Sequence, residues 1–192
     1  MKARRYLIML SLIAASAWLM GNGLYIKAKA QVADWMISNT WEERQPDGAP
    51  QKPWPWADTW VVARIEVPRL GKKQYVMQDA SGESLAFGLG AVIPVSGNGY
   101  NFISGHRDTH FDYLDQLIIG DTVTIETYPG QRLTYQITAT AVIDTRNGPL
   151  TVDQNNPGLS LITCWPMDSI VPGGPLRYVV SGVLTERTLA GT

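Results

Sequence analysis

The sequence predicts a mainly β chain, a closed or nearly closed barrel of short strands with little helix, carried behind an N-terminal transmembrane helix. Three observations predict it. An apolar stretch from Tyr6 to Ile26 follows Lys2, Arg4 and Arg5. From Trp60 onward the hydrophobic period changes to two, in seven or eight short runs. Those runs are separated by Gly- and Pro-rich turn signals at close intervals, the pattern of an antiparallel barrel.

Taken in order, residues 1–30 form a signal-anchor segment. A spanning helix needs about 20 apolar residues for a hydrocarbon core of ~30 Å, and Tyr6–Ile26 is broken only by Ser11, Ser16 and Gly21-Asn22-Gly23. The basic end belongs in the cytoplasm, which sends the C-terminal bulk outside. Ala28-Lys29-Ala30 resembles a small-x-small cleavage site, the mark of a removed signal peptide. Lys27 and Lys29, and the length of the apolar stretch, favour an uncleaved anchor. Residues 31–57 read as a helical piece, Gln31 to Glu43, and then a Pro-rich spacer through Trp56. Trp54, Trp56 and Trp60 either form an interfacial aromatic belt or, for Trp56 and Trp60, pack the spacer onto the barrel.

The barrel is expected over residues 58–187, with 188–192 as a tail. Val61 to Val67 alternates and stops at Pro68; Gln74 to Met77 is a second short strand. Ser84 to Gly90 holds a short helical turn, Phe102 to Ser104 a strand, and His110 to Leu117 a single short helix. Asp121–Glu126 and Leu133–Ile143 flank the turn Tyr128-Pro129-Gly130-Gln131 as a hairpin. Leu159 to Cys164 and Leu176 to Val183 complete the set.

Composition narrows the function. The formal net charge is −1, but residues 1–30 carry five basic side chains and no acid, leaving 11 Lys+Arg against 17 Asp+Glu beyond them. A segment of charge −6 lacks the basic footprint that phosphate binding needs, so nucleic acid is excluded as a partner. One cysteine and two histidines match no zinc spacing, and no cofactor motif is present. Exported proteins usually pair their cysteines. A single one cannot form an internal disulfide, and reads as an intermolecular, buried or reactive thiol.

Three residues make the reactive reading concrete. Cys164, His106 and Arg177 each lie at the edge of a separate β-like run. A free thiol near pKa ~8.5 is only partly ionised at neutral pH, so a nucleophilic cysteine wants a base beside it. Acyl transfer also wants a donor at the developing oxyanion. His106 supplies acid/base chemistry, Cys164 the nucleophile and Arg177 the donor, and such partners meet in space rather than along the chain. A thiol paired with an imidazole titrates as a coupled pair and predicts a bell-shaped rate profile.

The surrounding strings resemble those of sortases. Ser160-Leu161-Ile162-Thr163-Cys164 is similar to their Thr-Leu-x-Thr-Cys signature, with Ser160 keeping the hydroxyl. Ser104-Gly105-His106 is similar to their histidine motif, and Arg177 lies on the strand after the cysteine loop. Gly105 to Phe111 and Pro172 to Val180 resemble the Gram-negative branch, class GN. The resemblance covers Trp60 to Val183. It implies an eight-stranded sortase-type β-barrel and a cysteine transpeptidase, classed with the thiol proteases. Such an enzyme cleaves a C-terminal LPxTG-like sorting signal through a Cys thioacyl intermediate and passes the acyl group to an amine acceptor. Its products are anchored surface proteins or polymers. It implies catalytic roles for His106, Cys164 and Arg177, and a substrate-binding role for Thr163. Trp165 either walls the substrate groove or plugs the barrel mouth. The implied location is the inner membrane, single-pass, with the catalytic domain in the periplasm.

Other assignments remain for these residues. His110 lacks the Ser-Gly pair and reads as packing near the short helix. Asp108 and Asp112 read as solvated loop acids, with orientation of His106 as the alternative. The rival functions are another exported cysteine acyl-transferase, such as an L,D-transpeptidase, and a non-catalytic barrel adhesion module with an inert cysteine. The Ser-His-Gly-Cys type string of the former is absent.

Overall fold

The computed structural model describes residues 2–43, 49–97, 99–128, 130–150, 156–171 and 173–189. The rest of the spacer's Pro46–Gly48 stretch, Pro129 of the hairpin turn, Pro172 of the cysteine loop and the last three residues of the tail lie outside them. The chain divides into two units, residues 1–36 and 37–192.

The first unit is helical. One α-helix, α1, runs Lys2–Glu42, where the sequence suggested two pieces. Gly21 and Gly23 cost about 1 kcal/mol each in helix propensity, but the intrahelical hydrogen bonds survive them. The helix contains a candidate membrane span of mean hydropathy 1.7. Its large apolar side chains, among them Leu7, Leu12, Trp18 and Leu24, are exposed.

The second unit is the barrel. Its strands are β1 (Val61–Val67), β2 (Lys72–Met77), β3 (Leu89–Ala91), β4 (Tyr100–Ser104), β5 (Thr122–Thr127), β6 (Gln131–Asp144), β7 (Gly158–Cys164) and β8 (Leu176–Leu189). The order around the closed barrel is β1-β2-β3-β4-β7-β8-β6-β5. β3 falls partly inside the Ser84–Gly90 stretch read as a turn; the helical part is α2 (Gly82–Phe87), capped by the Ser81 side chain accepting from the Ser84 amide.

The antiparallel expectation needs correction at two seams. β2 pairs with β3, and β4 with β7, in parallel. A parallel pair requires a crossover rather than a hairpin. The first crossover contains α2; the second contains all of β5 and β6. The expected helix over His110–Leu117 is also reduced, to a 3-10 turn at Leu114–Gln116. Phe111 and Tyr113 are both buried in the core. Two residues apart, they would point to nearly opposite sides of an α-helix, so the segment folds as successive turns that turn both rings inward.

The core is one cluster within the barrel, including Ile65, Ile103, Val123, Leu159, Leu161 and Val180. The end of α1 belongs to this unit. Ile37 and Trp41 are buried, Trp41 packs 6.3 Å from the Tyr75 ring, and the Arg64 guanidinium lies 5.9 Å from the indole. Arg64 also pairs with Glu126 at 2.8 Å and Glu42 at 3.3 Å. Of the spacer tryptophans, Trp54 packs edge-on against Phe87 with centroids 4.9 Å apart, whereas Trp56 is exposed and Trp60 half-buried. The tryptophan that binds the spacer down is therefore Trp54, not Trp56.

Candidate active site

Strand alternation decides which way the site faces. Leu159 and Leu161 of β7 enter the core, as do Ile103 of β4 and Val180 of β8. Side chains alternate across a strand, so Cys164 and Arg177 project from the outer face. Cys164 and Arg177 are direct register partners on the antiparallel β7/β8 pair, where opposed Cα atoms are about 5 Å apart. On the other side of β7, Ser104 pairs with Ile162. The Gly105 amide donates to the Ile162 carbonyl at 3.1 Å, so the ladder continues one step past β4. Carrying the register on sets His106 beside Cys164. Cys164 and Arg177 thus stand side by side on β7 and β8 at the outer rim, and His106 lies two residues beyond the end of β4, the strand on the other side of β7. His106 is exposed; Cys164 and Arg177 are half-buried.

Backbone contacts fix this arrangement. The Thr163 hydroxyl, buried, donates to the Gly105 carbonyl at 2.7 Å. Thr163 therefore points inward, off the face that Cys164 occupies, and ties the nucleophile's strand to the residue before His106. Gly105 is required there: a Cβ would stand 2.5 Å from a Leu89 methyl and 2.8 Å from the Phe111 ring. Arg177 donates through one nitrogen to the carbonyls of Gly174 at 2.7 Å and Leu176 at 2.8 Å. A guanidinium has five N–H donors, so others stay available. Trp165 stacks on Tyr178 with centroids 5.3 Å apart, and its amide donates to the Leu176 carbonyl, closing the base of the β7–β8 loop.

The neighbouring acids are otherwise engaged or solvated. Asp112 pairs with Lys72 at 3.1 Å rather than with His106, and Asp108 is exposed. His110, four residues on, is half-buried. Among the described residues, no group of three or more His, Cys, Asp or Glu side chains gathers to hold a metal ion.

Arg107 is the residue that sequence reasoning passed over. It is buried, and its guanidinium donates to three carbonyls of the β7–β8 loop: Pro166 at 3.1 Å, Ser169 at 2.6 Å and Val171 at 2.6 Å. A signal existed. The loop holds Pro166, Pro172 and Pro175, each lacking an N–H, so its carbonyls outnumber its donors and call for one from outside.

A closed mixed barrel that lines up a thiol, an imidazole and a guanidinium on its rim has the parts of a cysteine acyl-transfer protein. Comparison with known proteins gives that class a family. A sortase-domain model matches residues 65–185, most of the barrel, and the chain belongs to the sortase family. It is 29% identical over 123 residues to sortase D of Bacillus subtilis (strain 168), a match covering 62% of this chain and 61% of that protein. Among solved structures, Listeria monocytogenes sortase A is similar with a TM-score of 0.61 at 22% identity, over 69% of this chain and 92% of that one. The catalytic domain of B. anthracis SrtD is similar with a TM-score of 0.56 at 28% identity, over 74% and 97%.

Proposed function

We propose that this chain is a membrane-anchored sortase. It cleaves an LPxTG-like C-terminal sorting signal and transfers the acyl group to an amine. The observation that carries the proposal is the register: Cys164 lies opposite Arg177, and His106 follows two residues after Ser104, which pairs with Ile162 across the parallel seam. Cys164 Sγ attacks the carbonyl of the motif's threonine, the C–N bond breaks, and His106 protonates the departing amine. Arg177 donates to the developing oxyanion. An incoming amine then attacks the thioester and releases the thiol. Thr163 contributes by positioning Cys164, and Trp165, stacked on Tyr178, by holding the base of the β7–β8 loop.

Family membership supports the transpeptidase reading, and α1 with its basic flank supports a single-pass anchor with the barrel on the far side of the membrane from the cytoplasm. The placement in an inner membrane, facing the periplasm, rests with the class GN assignment on the strings around His106 and Arg177. A neighbouring gene encoding a protein that ends in a sorting motif, apolar helix and basic tail would name the substrate.

The test uses the full chain in detergent with sorting-motif peptides and an amine acceptor. Mass spectrometry should find a thioacyl adduct on Cys164. Cleavage that persists in Cys164→Ala overturns the mechanism.

A further inference from the structure

We propose that Arg107 is a positioning residue for substrate binding: it pins the β7–β8 loop so that Ile170 and Val171 are held out as an apolar contact for the substrate peptide. The loop's two ends carry the nucleophile, Cys164, and the guanidinium, Arg177. At the Arg177 end the Thr145 amide and hydroxyl both bond to the Pro175 carbonyl at 2.9 Å. In the middle, Met167 packs against the core, and among the described residues the hydrogen bonds from outside the loop are those from Arg107 to Pro166, Ser169 and Val171. Because Arg107 follows His106 directly, the same clamp sets the loop against the imidazole's strand end. A buried guanidinium spent wholly on carbonyls is an expensive way to order a surface loop. What it orders is an apolar pair in water: Ile170 is 98% and Val171 67% exposed. Their presentation on the loop that joins Cys164 to Arg177 fits recognition of an extended peptide with an apolar side chain near the scissile bond.

The kinetic half of this inference rests on the transpeptidase reading; the structural half does not. Amide exchange is measured on the full chain in detergent for wild type and Arg107→Ala. Amides of 167–171 are expected to exchange faster in the variant, with the barrel strands unchanged. With a sorting peptide, Arg107→Ala should raise KM about ten-fold or more, the scale of one charge-assisted hydrogen bond lost, with kcat much less affected. Ile170→Ser, at a position too exposed to disturb folding, should raise KM as well. In the double variant the two effects should fail to add, because the clamp acts through the residue removed. If Arg107→Ala does not fold, Arg107→Lys takes its place under the same criteria, since an ammonium cannot reproduce the planar fork. Unchanged exchange in the loop, a kcat loss without a KM change, or strictly additive effects would overturn the proposal. A wild-type chain that cleaves no sorting peptide sinks the transpeptidase reading, while the exchange measurement still decides the clamp.

Discussion

Thr163→Val tests whether the seam between β4 and β7 aligns the site. Valine keeps the shape and the methyl contacts but removes the hydroxyl that donates to Gly105 at 2.7 Å. A hydrogen bond nets about 0.5–1.5 kcal/mol, and stranding a buried carbonyl costs about 1–3 kcal/mol. The loss of stability should therefore be about 1–3 kcal/mol. For a domain of this size that is a fall in Tm of roughly 2–12 °C. Thr163→Ser is the control. It keeps the hydroxyl and gives up one buried methyl, worth about 0.8 kcal/mol. Calorimetry reports stability, and kcat/KM on a sorting peptide reports alignment. The valine variant should lose activity beyond its stability loss, because Gly105 and the strand end holding His106 are no longer tied to Cys164's neighbour. The serine variant should keep it. A valine variant as stable and active as wild type, or a serine variant equally damaged, refutes the reasoning.

Two other outcomes are expected. Arg69 hydrogen-bonds the Asp121 carboxylate and holds its pKa below the usual carboxylate range, against the opposing effect of burial. A depressed folded pKa stabilises above the unfolded value, about 3.9, and that stabilisation is lost as pH falls through the folded value. Thermal melts from neutral pH to pH ~3 should show Asp121→Asn with a lower Tm at neutral pH and a shallower acid slope; an unchanged slope would discard the linkage. Trp41→Ala removes a fully buried indole at the end of α1 and should cost about 3–5 kcal/mol by denaturant titration. A cost below about 1 kcal/mol would mean that the helix end does not stabilise the barrel.

Much of the molecule was legible along the chain. The apolar run marked a candidate span, and the period of two marked strands close to where β1, β2, β5, β6, β7 and β8 lie, because alternation is a local property of a half-buried strand. The lone thiol, the Ser-Gly-His string and Arg177 stand out along the chain as candidates because reactive chemistry needs particular residue types. The short β3 was missed: three residues, Leu89–Ala91, are too few to show a period. The helix expected at His110–Leu117 was lost to the core, where burying both Phe111 and Tyr113 outweighed helical spacing. Arg107 went unread because its partners lie about 60 positions away and are carbonyls, which every residue has.

The sequence by itself determined the kinds of element and offered the candidates for the site: a histidine, a cysteine and an arginine, each at or just beyond the end of a strand. Only the tertiary structure decided that the three ends meet. That depended on β4 lying parallel to β7 across a crossover of two strands, and on β8 pairing with Cys164 opposite Arg177. Local pattern sets which face of a strand is apolar. Which strand lies beside it is set by closing all eight around one core, and no single segment carries that information.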